Sequence, residues 1–155
     1  MIIITACGAQ STETDQLPEE MPEDFEVILQ FGMRQPPNEL NTIEETFTKD
    51  LITEGPATTE FPLSGEEREF IYTEMREANV LDVAENQGGS SCKEPHYSYD
   101  LEMTAAGDTY KESWDTSCEN PNTNAWESFM DSMMAEIIEP RPEYQELPEP
   151  TGGYE

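Results

Sequence analysis

The chain has 155 residues, of which 35 are Asp or Glu, 7 are Lys or Arg and one is His, so its formal net charge is −28. This charge excludes nucleic acid as a partner, since binding to phosphates depends on Lys and Arg. It equally disfavours docking on an anionic lipid surface, so any attachment to a membrane has to be covalent. Between the N-terminal residues 1–24 and the C-terminal residues 141–155 lie roughly 115 residues, enough for one domain of ordinary size.

The first seven residues have the form of a bacterial lipobox. In Ile4-Thr5-Ala6-Cys7 an apolar, a hydroxyl and a small residue precede a cysteine, which predicts that Cys7 carries the lipid and anchors the protein on the outer face of the cytoplasmic membrane. A complete signal has a basic start and about 7–15 apolar residues. Residues 1–7 have neither, so they are interpreted as the remnant of a signal. The alternative is a buried cysteine in an ordinary N-terminal strand.

The next segments predict a tether and a first hairpin. Residues 8–24 are polar and interrupted by proline, as in a flexible tether. Apolar residues then alternate over 25–33, and the odd-numbered pattern resumes over 41–51, which predicts two antiparallel strands. The proposed register pairs Phe31 with Ile43 and Val27 with Phe47, across a broad loop at 34–38.

A helix and a better defined hairpin follow. A short strand is predicted at 58–63. Ser64 and Glu67 have the spacing of a capping box, which predicts a helix from Gly65 to about Ala78. Residues 84–95 are polar and predict a loop.

Alternation over 96–104 and 108–116 predicts the second hairpin, with Ala106-Gly107 as its two-residue turn. This register pairs three sets of residues across the strands: Met103 with Tyr110, Tyr99 with Trp114, and Glu102 with Lys111.

The last helix is predicted over 125–139 and is ended by Pro140. Its apolar residues follow helical spacing, and the methionines among them are interpreted as core, although a pliable partner groove is the alternative. Residues 141–155 predict an extended tail. The fold expected for the single domain at 25–140 is α+β in two layers, an antiparallel sheet of two hairpins with two helices packed on one face.

Cys92 and Cys118 remain as an even pair once Cys7 is assigned to lipid. They flank the second hairpin at its open end, which predicts a disulfide in an oxidising compartment. The chain-entropy estimate for a loop of about 26 residues is about 3–4 kcal/mol. A redox or metal pair is the alternative, although the chain has no Cys-x-x-Cys motif.

The sequence singles out no catalytic residue, metal ligand or cofactor motif. His96 is the only histidine and is interpreted as a strand-surface residue rather than a base. Asp115 is interpreted as a cap at the end of the hairpin. A pair of carboxylates for glycoside chemistry cannot be picked out among so many acids, and the chain has no EF-hand spacing of oxygen ligands.

Several short segments of the sequence resemble those of a family of small uncharacterised lipoproteins from bacilli. They are Asn38-Glu39-Leu40-Asn41-Thr42, Thr46-Phe47-Thr48-Lys49-Asp50, Trp114-Asp115 and Leu147-Pro148-Glu149-Pro150-Thr151-Gly152-Gly153-Tyr154. The resemblance covers about residues 25–155. It implies an exported, lipid-anchored domain with no catalytic residues to transfer. Members are usually rich in Lys where this chain has Glu. The Glu residues of this chain are what a salt-adapted relative would have.

These observations favour a non-enzymatic lipoprotein with a small binding or accessory domain and a protein partner in the cell envelope. Two alternatives stay open at this point. One is a carboxylate-dependent envelope hydrolase, for which a cleft holding two carboxyl groups of raised pKa would be the distinguishing observation. The other is an inhibitor of an envelope enzyme that inserts its 34–38 loop.

The acidic surface predicts that salt stabilises the protein, because counterions screen the repulsion between carboxylates. We expect the melting temperature to rise with added sodium chloride in a thermal unfolding series. Equal effects of calcium and magnesium at equal ionic strength would support adaptation to high salt. A much larger rise with calcium would instead indicate a specific calcium site.

Overall fold

In the computed structural model, the described residues are 17–33, 37–83, 89, 92–94 and 96–152. They form a six-stranded antiparallel sheet and a set of helices, so the predicted α+β class is confirmed. The strand order is β4-β3-β2-β1-β5-β6, which makes the two hairpin regions neighbours through β1. The elements are β1 (Glu26–Gly32), β2 (Asn38–Asn41), β3 (Thr46–Asp50), β4 (Pro56–Glu60), α1 (Gly65–Glu77), α2 (Val80–Val83), β5 (Ser98–Ala105), β6 (Asp108–Asp115), α3 (Pro121–Met133), a π-helical segment (Met134–Ile138) and α4 (Pro142–Gln145).

The central strand β1 separates the two faces of the sheet. Val27, Leu29 and Phe31 are buried, whereas Ile28 and Gln30 between them are only partly covered, because successive side chains of a strand point to opposite faces. The buried face packs against the helices: ring contacts join Phe25 to Tyr72 of α1 and Trp114 to Trp126 of α3. One shared core therefore lies between the sheet and a single layer of helices.

The predicted register of the first hairpin is wrong. β1 pairs with the short strand β2, with Phe31 opposite Asn38 rather than Ile43. The chain then turns at 42–45 into β3 instead of continuing as one strand over 41–51. Ile43 lies in this turn with 59% of its surface exposed.

Local side chains explain that turn. Asn41 Oδ1 accepts a hydrogen bond from Glu44 N at 3.0 Å, and the Thr42 hydroxyl accepts one from Val27 N at 2.8 Å. Such side-chain bonds to the backbone compete with a strand ladder. Glu45 completes the turn at φ 56°. Of the 34–38 loop, residues 34–36 lie outside the described part.

The first helix is confirmed, and the strand before it is shifted. The strand predicted at 58–63 lies at Pro56–Glu60, antiparallel to β3. Both bonds of the capping box are present: Glu67 N donates to Ser64 Oγ at 3.1 Å and Ser64 N donates to Glu67 Oε1 at 2.9 Å.

The predicted register of the second hairpin is confirmed, although its strands run over Ser98–Ala105 and Asp108–Asp115 rather than 96–104 and 108–116. Met103 pairs with Tyr110 and Tyr99 pairs with Trp114. Lys111 Nζ lies 3.9 Å from Glu102 Oε2 on the opposite face.

The turn of this hairpin has both central residues, Ala106 and Gly107, at positive φ, of 53° and 83°. The Asp24 carboxylate accepts hydrogen bonds from both of their N–H groups, at 2.7 and 2.8 Å. These two bonds, the one from Gly107 first, lower the pKa of Asp24.

The last long helix starts earlier than predicted, at Pro121 rather than 125. Asn120 caps it by accepting bonds from Asn122 N and Thr123 N, each at 2.9 Å, and proline is favoured in the first turn. The backbone widens into a π-helix over Met134–Ile138 and ends before Pro140, as expected. Most of the apolar stripe is core, whereas Met134 is half-buried. The buried members are Trp126, Phe129, Met130, Met133, Ile137 and Ile138.

The end of the predicted tether is packed rather than flexible. Leu17 is only 4% exposed, its carbonyl oxygen accepts a hydrogen bond from Arg76 Nε at 3.0 Å, and Tyr72 Oη donates to Pro18 O. The sequence does not show this because the partners lie on α1, far along the chain. Residues 8–16 of the predicted tether lie outside the described part.

The sulfur atoms of Cys92 and Cys118 lie 2.04 Å apart, at disulfide bonding distance. The backbone beside them is also joined, since Lys93 N donates to Ser117 O at 2.7 Å. The pair therefore connects the segment before β5 to the segment before α3. Its oxidation in exported protein stays a prediction.

No helix within the described residues is both long enough and apolar enough to cross a membrane.

The turn at 106–107 offers a matched pair of substitutions. Ala106→Gly should stabilise the protein by about 0.5–1 kcal/mol, because relief from the left-handed conformation exceeds the added backbone entropy of glycine. Gly107→Ala should destabilise it by a similar amount, with strain as the cause, since a Cβ there meets no atom within 4 Å. Urea unfolding of both variants measures the two changes, and equal signs would contradict the turn geometry.

Candidate functional site

A cleft of about 510 Å³ opens at one end of the sheet, between its buried face and the C-terminal part of the chain. Residues from the ends of β1, β2, β3 and β5 line one side. Helix α3, the π-helical segment and the chain after it line the other. The lining residues are Phe31, Asn38, Phe47, Lys49, Asp50, Tyr97, Tyr99, Glu127, Met130, Asp131, Met134, Glu139, Tyr144 and Pro150.

Aromatic rings form much of this surface. The ring of Tyr144 meets that of Phe47 edge-on, with centroids 5.6 Å apart. On the opposite side, Tyr97 stacks on Tyr99 at 6.4 Å, and Tyr97 keeps 40% of its surface exposed. Tyr97 therefore offers a ring face or edge to a ligand, while the buried rings hold it in place.

The helical wall of the cleft carries acids and methionines. Glu127 and Asp131 are four residues apart, and Met130 and Met134 have the same spacing, so each pair shares one side of the helix. Burial raises the pKa of Tyr99, and the negative charges of Glu127 and then Asp131 add to this rise. Both carboxylates line the same cleft as this tyrosine.

Lys49 is a cation on the inward face of the sheet. Its side chain is 8% exposed, and its Nζ lies 4.8 Å from the centre of the Tyr144 ring and 3.7 Å from Glu149 Oε2. A lysine buried in this way needs compensation for its lost hydration. The ring and the carboxylate, both from the C-terminal segment, supply that compensation.

The C-terminal segment differs from the predicted extended tail. It forms α4, packs Tyr144 on the core, and returns to the sheet through a bridge between Thr151 and Ile52. Thr53 Oγ1 donates to Thr151 O at 2.6 Å. Residues 153–155 lie outside the described part.

Arg141 holds the start of this segment. Its Nη1 donates to Pro62 O at 2.8 Å and lies 3.3 Å from Glu67 Oε1, while its guanidinium sits 4.2 Å from the centre of the Phe61 ring. A hydrogen bond to Glu143, with the charge of Glu67 contributing further, raises the pKa of Arg141. These contacts fix the wall that carries Tyr144.

The π-helical segment brings a further residue to the cleft. Glu139 N donates to Met134 O at 2.8 Å, five residues back, and both residues line the cleft. Segments of π-helix are rare and occur frequently at functional sites.

The described residues that the sequence singled out do not line the cleft. Cys7 is outside the described residues, and neither Cys92 nor Cys118 lines the cleft. His96 Nδ1 lies 2.9 Å from Glu94 Oε2. Asp115 accepts a hydrogen bond from Ser117 N at 3.0 Å, so it closes the end of the hairpin.

The pKa of Asp115 is lowered chiefly by the hydroxyl and then the backbone N–H of Ser117. This carboxylate is therefore occupied within its own turn. Among the residues that the structure describes, no group of three or more His, Cys, Asp or Glu side chains is placed to hold a metal.

The sequence interpretation missed the cleft, although one signal was present. Lys49 lies between Phe47 and Leu51 in the odd-numbered pattern, so a charged residue occupies an inward position of the strand. An inward lysine needs a partner inside the protein. Tyr144 gave no comparable signal, because its docking depends on contacts distant in sequence.

No protein-family model, curated protein or solved structure matches this chain. The resemblance to lipoproteins of bacilli therefore stays a prediction.

The docking of the C-terminal wall can be tested at Gly152. This residue has φ 89°, and a Cβ there would overlap Thr53 Oγ1. We expect Gly152→Ala to loosen residues 149–152 and to speed hydrogen exchange of the Thr53 and Thr151 amides, which are bonded to this junction.

Gly55→Ala is the matched control for this variant. Gly55 has φ 82°, but a Cβ there meets no atom within 4 Å, so it adds strain without the overlap. Equal exchange at Thr151 in both variants would show that backbone strain alone, and not the contact with Thr53, determines the effect.

Proposed function

We propose that the protein is a cell-envelope lipoprotein whose folded domain is a binding or accessory module and whose ligand enters the cleft. The cleft carries the proposal: its volume of about 510 Å³ falls among those of small-molecule sites, about 300–1,000 Å³, which combine apolar walls with a few convergent polar groups. Aromatic rings and methionines supply the walls here, and Lys49 and the acids supply the polar groups.

The proposed location depends on Cys7. A lipobox before this cysteine and the resemblance to lipoproteins of bacilli support an anchor on the outer face of the cytoplasmic membrane. The net charge of −28 gives the domain no attraction to anionic lipid. A diacylglyceryl group supplies two acyl chains, which suffice for stable anchoring where one chain is marginal.

A binding role fits the cleft better than a catalytic one. Two basic side chains hold the walls of the cleft in place. Lys49 contacts Tyr144 and Glu149, and Arg141 contacts Glu67. These groups position a surface, as a binding site requires. We therefore propose an accessory module rather than an envelope hydrolase.

The anchor is tested by fractionation of cells that express the chain behind a complete secretory signal. Wild-type protein should remain with the membranes after a high-salt wash, and Cys7→Ser should be released, because the lipid is its proposed means of retention. Membrane retention of Cys7→Ser, or a soluble wild type, would contradict the lipoprotein assignment.

The cleft is tested with two neighbouring tryptophan substitutions. Met134 is half-buried and lines the cleft, whereas Ala135 is exposed and does not. Met134→Trp should fill the cleft and abolish capture of the ligand from a cell-envelope extract, while Ala135→Trp should capture it like the wild type.

Both variants are first compared with the wild type by circular dichroism, so that loss of fold is recognised. The same components captured by all three proteins would show that the cleft is not the binding site, whatever the state of the anchor.

A further inference from the structure

We propose that the cleft binds an organic cation, the ammonium or guanidinium group of an amine or of a basic side chain. This inference rests on the proposed function and names the ligand class of the same site. Three features of the described residues carry it: the excess of acids in the lining, an exposed tyrosine that lines the same cleft as these acids, and a cation already in contact with a ring of the cleft.

The described lining carries more acidic than basic residues. Among the lining residues that the structure describes, Glu127, Asp131 and Glu139 contribute carboxylates on the helical wall, and Lys49 contributes an ammonium on the sheet wall. That ammonium already has Glu149 Oε2 at 3.7 Å. A net charge of −28 on the whole chain adds to this potential, and a concave surface of one sign concentrates ions of the opposite sign.

The acids and the exposed ring line one cleft. Tyr97 stacks on Tyr99 and is the more exposed of the two. Glu127 and Asp131 line the same cleft as these two tyrosines. A cation between the tyrosine wall and these carboxylates would gain ring and charge attraction together.

Lys49 shows this type of contact within the same cleft. Its ammonium lies 4.8 Å from the centre of the Tyr144 ring, inside the distance of about 6 Å at which a cation is attracted to an aromatic face. Its near-complete burial leaves little of that charge for an anionic ligand. The geometry therefore favours a cation at the open, Tyr97 side of the cleft.

The probes are chosen so that charge is the variable. Calorimetric titration of the full chain uses choline against 3,3-dimethyl-1-butanol, which has nearly the same shape without the charge. A second arm uses a blocked Gly-Lys-Gly peptide against the same peptide with norleucine in place of lysine. Each cation should bind and each neutral analogue should bind about tenfold more weakly or not at all.

The source of the cation follows from the two arms. Tighter binding of choline indicates a free ammonium compound, and tighter binding of the peptide indicates a basic side chain of a protein partner. Either result supports the proposal, because the recognised chemistry is the same.

A double variant locates the effect. Glu127→Gln with Asp131→Asn keeps the shape of the wall and removes its charge, so affinity for the cation should fall about tenfold. Glu136→Gln with Glu146→Gln makes the same change in net charge at exposed residues outside the cleft, and it should leave affinity within about twofold.

Three results would overturn the inference: equal binding of cations and neutral analogues, failure of both cations to bind, or equal affinities for the two double variants. None of these three results changes what the comparison of Met134→Trp with Ala135→Trp says about binding in the cleft. Loss of capture in that comparison together with a failed cation titration would keep the binding module and reject only its ligand class.

Discussion

The alternation of side chains along β1 is the constraint on which the rest of the structure depends. β1 is the strand at which the two hairpin regions meet, pairing with β2 on one side and with β5 on the other. Because Val27, Leu29 and Phe31 all point to one face, each paired strand must turn its apolar residues to that face as well. The helices then have a single surface to cover, and the core is continuous from Phe61 to Trp126.

The acidic composition is tolerated because this arrangement keeps most of the described charged side chains out of the core, with Lys49 and Asp50 as buried exceptions. Of the basic residues that the structure describes, Arg68 and Arg141 form ion pairs that also hold separate segments together. Exposed pairs such as Lys111 with Glu102 contribute little, typically about 0–1 kcal/mol. Ion pairing therefore neutralises only a small part of the carboxylate charge, and the apolar core has to carry the fold against the remaining repulsion.

Features that depend on contacts between residues close in sequence were predicted correctly more often than features that depend on distant contacts. The second hairpin was predicted pair by pair because Ala106-Gly107 leaves room for one register. The first hairpin was wrong because the turn at 42–45 contains neither glycine nor proline and is built by the side chains of Asn41 and Thr42. The packing of Leu17 and of the segment after Pro140 was not predicted, because their contacts, such as that of Arg76 with Leu17, join residues far apart in sequence.

The candidate site belongs to this last class, which explains why it was not predicted as a whole. The sheet supplies its inward lysine and tyrosines, and these follow from strand periodicity. The opposite wall exists because the helix widens after Met133, ends at Pro140, and lets Arg141 fix the returning segment. Lys49 joins the two, since its buried charge depends on Tyr144 and Glu149 of that segment. Docking of the C-terminal segment and the electrostatics of the cleft are therefore one coupled property of the fold.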